Sequence, residues 1–191
     1  PHNMHASQVI SALSAGKHIL VEKPLCLSFD ELAKIDEAVR RSPGTMLMVG
    51  VNRRFARLTR ALTPYLEEKT EPLTVTYRVN AGFIPHDHWV QDPKVGGGRL
   101  LGEGIHFLDW ICGVAGSRAT QVSAVGMEDA GKYTGDNFVV QISFENGSVG
   151  NLVYVANGAR RAGKERVEVT CSGTTCVLDD FRKLEVFQPG R

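Results

Sequence analysis

The sequence has no apolar run approaching the ~20 residues that cross a bilayer as a helix. No signal-peptide pattern opens it, so neither membrane insertion nor export is read from it. It also lacks a charge excess. Its 22 Lys and Arg balance 21 Asp and Glu, for a formal net charge of +1. A nucleic-acid groove or an anionic membrane surface would need a basic surplus. Arg53, Arg54, Arg57 and Arg60 do cluster, at a spacing that suits one helix face, and they read as a solvated face rather than a polyanion site. Cysteine is scarce. Cys26, Cys112, Cys171 and Cys176 lack zinc-site or C-x-x-C spacing. They read as reduced thiols of a cytoplasmic protein, with a Cys171–Cys176 disulfide as the alternative.

What is present is an ordinary globular balance: 191 residues, 42% hydrophobic and 23% charged. That length holds one large domain or two small ones. "PHNMHASQVI" has no initiator methionine, and "KLEVFQPGR" stops just after a strand-like run. Both ends read as cuts through a longer protein.

Asn3 is an expected N-cap for a helix whose apolar face is Val9, Ile10 and Leu13, with Gly16 at the stop position. "HILVE" (His18 to Glu22) suits a buried parallel strand. Ser28 and Glu31 form a capping-box pattern ahead of Leu32, Ile35 and Val39. Pro43-Gly44 ends that helix, and "TMLMVGV" (Thr45 to Val51) is a second continuous apolar strand. Helix, strand, helix, strand is a parallel α/β pattern. After Asn52 the texture changes. A helix is expected from about Ala56 to Glu68, kinked or shortened at Pro64. Leu73 to Ala81 alternates as a strand. From Thr120 onward strands dominate, and Asn146-Gly147 between two alternating runs signals a hairpin. The second part therefore reads as α+β, a mainly antiparallel sheet with helices on one face.

Three stretches could carry chemistry. "VEKPL" places Glu22 and Lys23 at the carboxyl end of a parallel strand, where open α/β sheets bind ligands, with Pro24 fixing the turn. Lys23 could donate to a substrate oxygen, or the pair could be a surface ion pair. "VGGGRLLGEGIHFLDW" sets Glu103, His106 and Asp109 along one helix face and Leu101, Ile105 and Leu108 along another. His106 suits a general base near neutral pH, or a core histidine bonded to a carbonyl. Gly96 to Gly98 permit close backbone approach. In "HDHW", His86, Asp87 and His88 are adjacent in an extended loop, so their side chains diverge and no metal site is read there. His88 and Trp89 suit a substrate loop, or an ordinary surface loop. "NRRF" (Asn52 to Phe55) follows a strand end and suits cofactor contact, or an exposed basic turn.

Together these stretches resemble the Gfo/Idh/MocA oxidoreductases. "PHNMHASQVISALSAGKHILVEKPL" is similar to the later part of their dinucleotide-binding domain, including Glu-Lys-Pro. "GGGRLLGEGIHFLDW" is similar to their Gly-Gly-Gly-x-Leu-x-Asp-x-Gly-x-His-x-x-Asp motif. The resemblance implies the second half of a Rossmann-type parallel sheet over residues 1–52. Over residues 53–191 it implies a substrate-binding and oligomerisation domain with an open-faced, mainly antiparallel sheet. The family's G-x-G-x-x-G phosphate loop is absent and would lie upstream of Pro1.

Carried onto this sequence, the resemblance makes Lys23 the substrate-contacting lysine and His106 the acid/base. Pro1, His5, Glu22, Lys23, Pro24, Asn52 and Arg54 would line the cofactor. His88, Trp89, Arg99 and His106 would meet substrate. One position differs: the family's aspartate falls at Gly102, with Glu103 one place on. A helical step turns a side chain by ~100°, so Glu103, kept as a catalytic candidate, is not a simple replacement. The implied activity is NAD- or NADP-dependent hydride transfer to or from a sugar, cyclitol or sugar-derived alcohol, in a homo-oligomer. Non-redox use of the cofactor for elimination or glycoside cleavage, and a non-catalytic binding module, are the alternatives.

Overall fold

The computed structural model describes residues 1–67, 71–128, 131–133 and 135–190. They form two compact units, one of Pro1–Val51 with Pro85–Ile105, the other of Asn52–Ile84 with His106–Arg191. The segment Pro85–Ile105 follows the change of texture in sequence, yet packs with the first unit.

In the first unit, α1 (His5–Ser14), β1 (Ile19–Val21), α2 (Phe29–Arg41) and β2 (Leu47–Val49) follow in order. The two strands pair in parallel, Ile19 opposite Leu47 and Val21 opposite Val49. Ala6, Val9 and Leu13 of α1 and Ile35 of α2 form the core, with Ile19, Val21 and Leu47 against them. The expected N-cap is corrected. Asn3 lies inside a 3-10 turn, His2–Met4, and α1 starts from Met4 with no side-chain cap. The physical reason is that an N-cap needs non-helical backbone, whereas Asn3 already lies inside a helical turn, closed by the Met4 amide on the Pro1 carbonyl and tied by the Asn3 backbone amide to the Val95 carbonyl at 3.1 Å. The helix stop is as expected. Gly16, at φ +67°, donates to Leu13, and Lys17 donates to Ala12, which satisfies the last carbonyls in a Schellman arrangement. At α2 the Ser28 hydroxyl accepts from the Glu31 amide, and the Glu31 carboxylate accepts from the Leu27 amide.

In the second unit, the expected Ala56–Glu68 helix is two pieces, α3 (Arg57–Leu62) and α4 (Pro64–Glu67). Proline has no N–H to continue the ladder, so Pro64 opens a new turn instead. Glu68 lies outside the described residues. The sheet comprises β3 (Thr74–Asn80), β4 (Ala119–Gly126), β5 (Phe138–Phe144), β6 (Val149–Val155), β7 (Glu165–Cys171), β8 (Thr174–Asp179) and β9 (Lys183–Phe187). Their order is β4-β5-β6-β3-β7-β8-β9. Only β3 and β6 pair in parallel; the other neighbours are antiparallel. The β5–β6 hairpin turns at Asn146-Gly147, where φ +81° calls for glycine. Helix α5 (Ile105–Ala115) covers one face of the sheet. Its Phe107, Trp110 and Ile111 pack with Tyr77, Val79, Ile142, Leu152 and Val167. The other face stays open, with Val125 71% and Val139 43% exposed. All four cysteines are free thiols. Among the described residues, no helix is long and apolar enough to cross a membrane.

Candidate active site

The carboxyl ends of β1 and β2 lie side by side, and the chain leaves them through Glu22-Lys23-Pro24 and Gly50. A Cβ on Gly50 would stand 3.1 Å from Glu22 Oε2, so the Glu22 carboxylate occupies the space that glycine leaves. The Lys23–Pro24 peptide is cis. The Pro24 carbonyl accepts from His5 Nδ1 at 2.7 Å. The Lys23 ammonium donates to the Gly102 carbonyl at 2.5 Å.

That carbonyl is presented by the glycine segment. The amides of Val95, Gly96 and Gly97 all turn to the Asp92 carbonyl. Gly97 and Gly98 sit at φ +78° and +80°. A side chain on Gly96 could not be housed, since its Cβ would lie 2.3 Å from Val90 Cα. The chain then makes a π-helical turn, Leu100–Gly104, before α5. The wide turn is visible in the Ile105 amide, which reaches the carbonyl of Leu100 five residues back. Arg99 and Glu103, both largely buried, pair across it at 3.0 Å. These two candidates therefore engage each other.

His2 completes this cluster within the first unit. Its Nδ1 donates to the Gly96 carbonyl at 2.7 Å. Its Cε1 lies where a Cβ on Gly102 would come within 3.2 Å. Burial pushes its pKa below the ordinary histidine value, and the nearby Lys23 charge adds to that. Trp89 stands edge-on to the His2 ring at 4.7 Å and also stacks on His88. The His88 Nδ1 in turn accepts from the Val90 amide. Pro1 is exposed, and its carbonyl caps the first turn by accepting from Met4.

The second unit holds His106, Asn52 and Arg54. His106 is 8% exposed, the second residue of α5, beside Phe107. Arg54 is committed: its Nε pairs with Asp109 at 2.8 Å, and its stem lies over Gly113. The reading of the four arginines as one solvated helix face is corrected. Arg53 and Arg54 precede α3 in a 3-10 turn, and only Arg57 and Arg60 belong to the helix. Arg53 grips the buried Glu165 through Nε and Nη2, at 3.1 and 2.8 Å. Tyr77 donates its hydroxyl to the same carboxylate at 2.5 Å. Burial and then Glu165 drive the Tyr77 pKa far above its ordinary value. Burial works against the Arg53 charge, yet Glu165 holds its pKa above the usual value. The Arg53–Glu165 pair is 112 residues apart in sequence, and no local pattern marks it. The role of His2 did have a trace, because His2 and His5 stand three apart, the spacing that puts two rings on one side of a turn.

Comparison with known proteins matches two family descriptions. "Oxidoreductase family, NAD-binding Rossmann fold" covers residues 1–51, and "GFO/IDH/MocA C-terminal domain" covers residues 70–177. The chain is 31% identical over 196 residues to myo-inositol 2-dehydrogenase of Thermotoga maritima, covering 96% of this chain and 56% of that protein. It is 29% identical over 159 residues to 1-carboxy-3-chloro-3,4-dihydroxycyclohexa-1,5-diene dehydrogenase of Comamonas testosteroni, covering 81% and 40%. The crystal structure of an NAD-binding protein from Listeria innocua superposes with a TM-score of 0.82 at 30% identity, covering 99% of this chain and 56% of that one. The chain thus spans about half the length of the curated relatives it matches. Both family descriptions apply in the expected order along one chain, which belongs to the GFO/IDH/MocA family of oxidoreductases.

Proposed function

We propose that this chain is part of an NAD(P)-dependent dehydrogenase acting on a CH–OH group of a sugar, cyclitol or cyclic diol. The observation that carries the reading is the Lys23 ammonium, placed just beyond a parallel strand and held by a backbone carbonyl. An ammonium in that position can donate to a substrate hydroxyl and favour negative charge on its oxygen. The names of two relatives, an inositol dehydrogenase and a dihydroxycyclohexadiene dehydrogenase, fit a ring carrying adjacent hydroxyls.

The residues present suit a nicotinamide riboside. Glu22 offers a carboxylate acceptor for ribose hydroxyls, and the missing side chain of Gly50 gives that carboxylate its place. Pro24, Pro1, His5, Asn52 and Arg54 are the further cofactor candidates, of which Arg54 acts through its partner Asp109. The cofactor, when bound, supplies the hydride acceptor or donor. Lys23 orients and polarises the reacting oxygen. His106 takes the hydroxyl proton in the oxidising direction and returns it in the reducing one. Arg99 and Glu103 shape the π-helical turn through their ion pair, and His88 and Trp89 flank the substrate loop.

Residues 1–52 are proposed as the cofactor part and 53–191 as the substrate part. Exposed Val125, Met127 and Val139 on the open sheet support a homo-oligomer. Four free thiols fit a reducing cytoplasm. The test is an assay of the full-length protein with NAD and NADP against cyclitols, sugars and cyclic dihydrodiols. Nicotinamide absorbance that changes with substrate supports the proposal. Substrate consumed with no net change would favour the elimination alternative, and cofactor binding without turnover of any class would favour a binding module.

A further inference from the structure

His2 and His5 each spend a ring nitrogen on a backbone carbonyl, and the two carbonyls flank the Lys23 side chain along the chain. His5 Nδ1 donates to Pro24, the residue after the lysine. His2 Nδ1 donates to Gly96, at the head of the segment whose Gly102 carbonyl receives the ammonium. The two rings are 5.7 Å apart. The Asn3 amide adds a second tie to this segment at Val95.

We propose that His2 and His5 are positioning residues for Lys23: one imidazole holds the backbone that carries the lysine, the other the backbone that receives it. A lysine side chain has four rotatable bonds and points accurately only when both ends are fixed. The backbone end is fixed by the His5–Pro24 bond, and the ammonium end by Gly102, seated on His2. The glycines are part of the same device. Gly96 admits no side chain because Val90 is in the way, and a Cβ on Gly102 would press on the His2 ring. Trp89, edge-on to His2, limits the tilt of that ring. The value of the brace to catalysis rests on the proposed role of Lys23. Its existence does not.

The test uses acetylation of the full-length protein with limiting acetic anhydride, read by mass spectrometry. Exposed Lys34 serves as the internal reference. His2→Ala and His5→Ala should each raise the Lys23 rate roughly five-fold against Lys34, the worth of about one hydrogen bond. His2→Asn and His5→Asn keep a donor near the Nδ1 position and should stay near the wild-type rate. A general loosening of the fold would affect Asn and Ala variants alike and would shift Tm with them. Unchanged Lys23 reactivity in both Ala variants, or equal gains in Ala and Asn variants, would overturn the brace. If a variant does not fold, nitrogen-15 NMR of the wild-type imidazoles decides. The bonds require a proton on Nδ1 at both residues, and a bare Nδ1, the neutral Nε2–H tautomer, at either one would overturn the assignment. Freed Lys23 with undiminished turnover would leave the brace standing and sink the catalytic reading instead.

Discussion

Lys23 and Gly102, 79 residues apart, meet through an ammonium-to-carbonyl hydrogen bond of 2.5 Å. The acceptor is a backbone atom at the position where the family's motif carries an aspartate. His2 occupies the space a side chain at 102 would begin to fill. The contact therefore depends on backbone placement, which makes the glycine segment as consequential as the lysine.

Gly96→Ala should be strongly destabilising. Its Cβ would stand 2.3 Å from Val90 Cα, and a backbone neighbour cannot step aside as a side-chain tip can. We expect a loss of about 2–4 kcal/mol. Gly102→Ala presses on the His2 ring at 3.2 Å and makes ordinary contact with Val90 Cγ1 at 3.5 Å, and should cost about 1 kcal/mol. Urea unfolding of the two variants checks the order. Equal midpoints would contradict the packing described for Val90.

Glu165→Gln should loosen the second unit. The change keeps the shape but removes the charge that faces Arg53 and accepts from Tyr77. Arg53 keeps some contact with water, at 30% exposure, so the cost should fall near the lower part of the range for charged hydrogen bonds, about 1.5–2 kcal/mol. The measurement is the urea midpoint at neutral pH. No shift would mean that the network is energetically idle.

His2 predicts a pH dependence of stability. Its folded pKa lies below the ordinary 6.5, through burial and then the proximity of Lys23. The unfolded chain therefore binds the proton first as pH falls. Stability is fully present above about 6.5, and falls as pH drops from there toward the depressed folded value. His2→Asn should remove this part of the slope between neutral pH and that value. Thermal unfolding across the range checks it, and an unchanged slope in the variant would refute the assignment to His2.

The elements were largely legible because their signals are local. Gly16, the Ser28–Glu31 box and Asn146-Gly147 each act within a few residues, and each appears as expected. Asn3 is the exception, because the chain is already helical there, in a 3-10 turn that its backbone amide ties to Val95, over ninety residues away, a contact no window can see. The parallel β3–β6 pairing was hidden for the same reason, since strand order is a property of the whole sheet. At the site, Lys23 and His106 stood out by chemistry and motif. Their surroundings did not. The Arg54–Asp109 pair joins residues 55 apart, which the sequence does not link. The π-helical turn gave only the indirect signal of glycines where a helix should begin.

His106→Asn in the full-length enzyme should slow turnover by about 10²–10⁴-fold, the usual contribution of general acid–base catalysis. The loss should come with a flattened neutral limb of the pH–rate profile, since asparagine cannot exchange the proton. A variant with full activity would assign His106 to packing in α5.

The central claim is that Lys23 acts on the reacting oxygen. It is tested most directly by single-turnover hydride transfer in the full-length protein, comparing wild type with Lys23→Ala. The account predicts a hydride-transfer step slowed by about 10²–10³-fold, the loss seen when one donor to a developing oxyanion is removed, with the cofactor Kd nearly unchanged. An unchanged hydride-transfer rate would contradict it, as would a loss explained entirely by weaker cofactor binding.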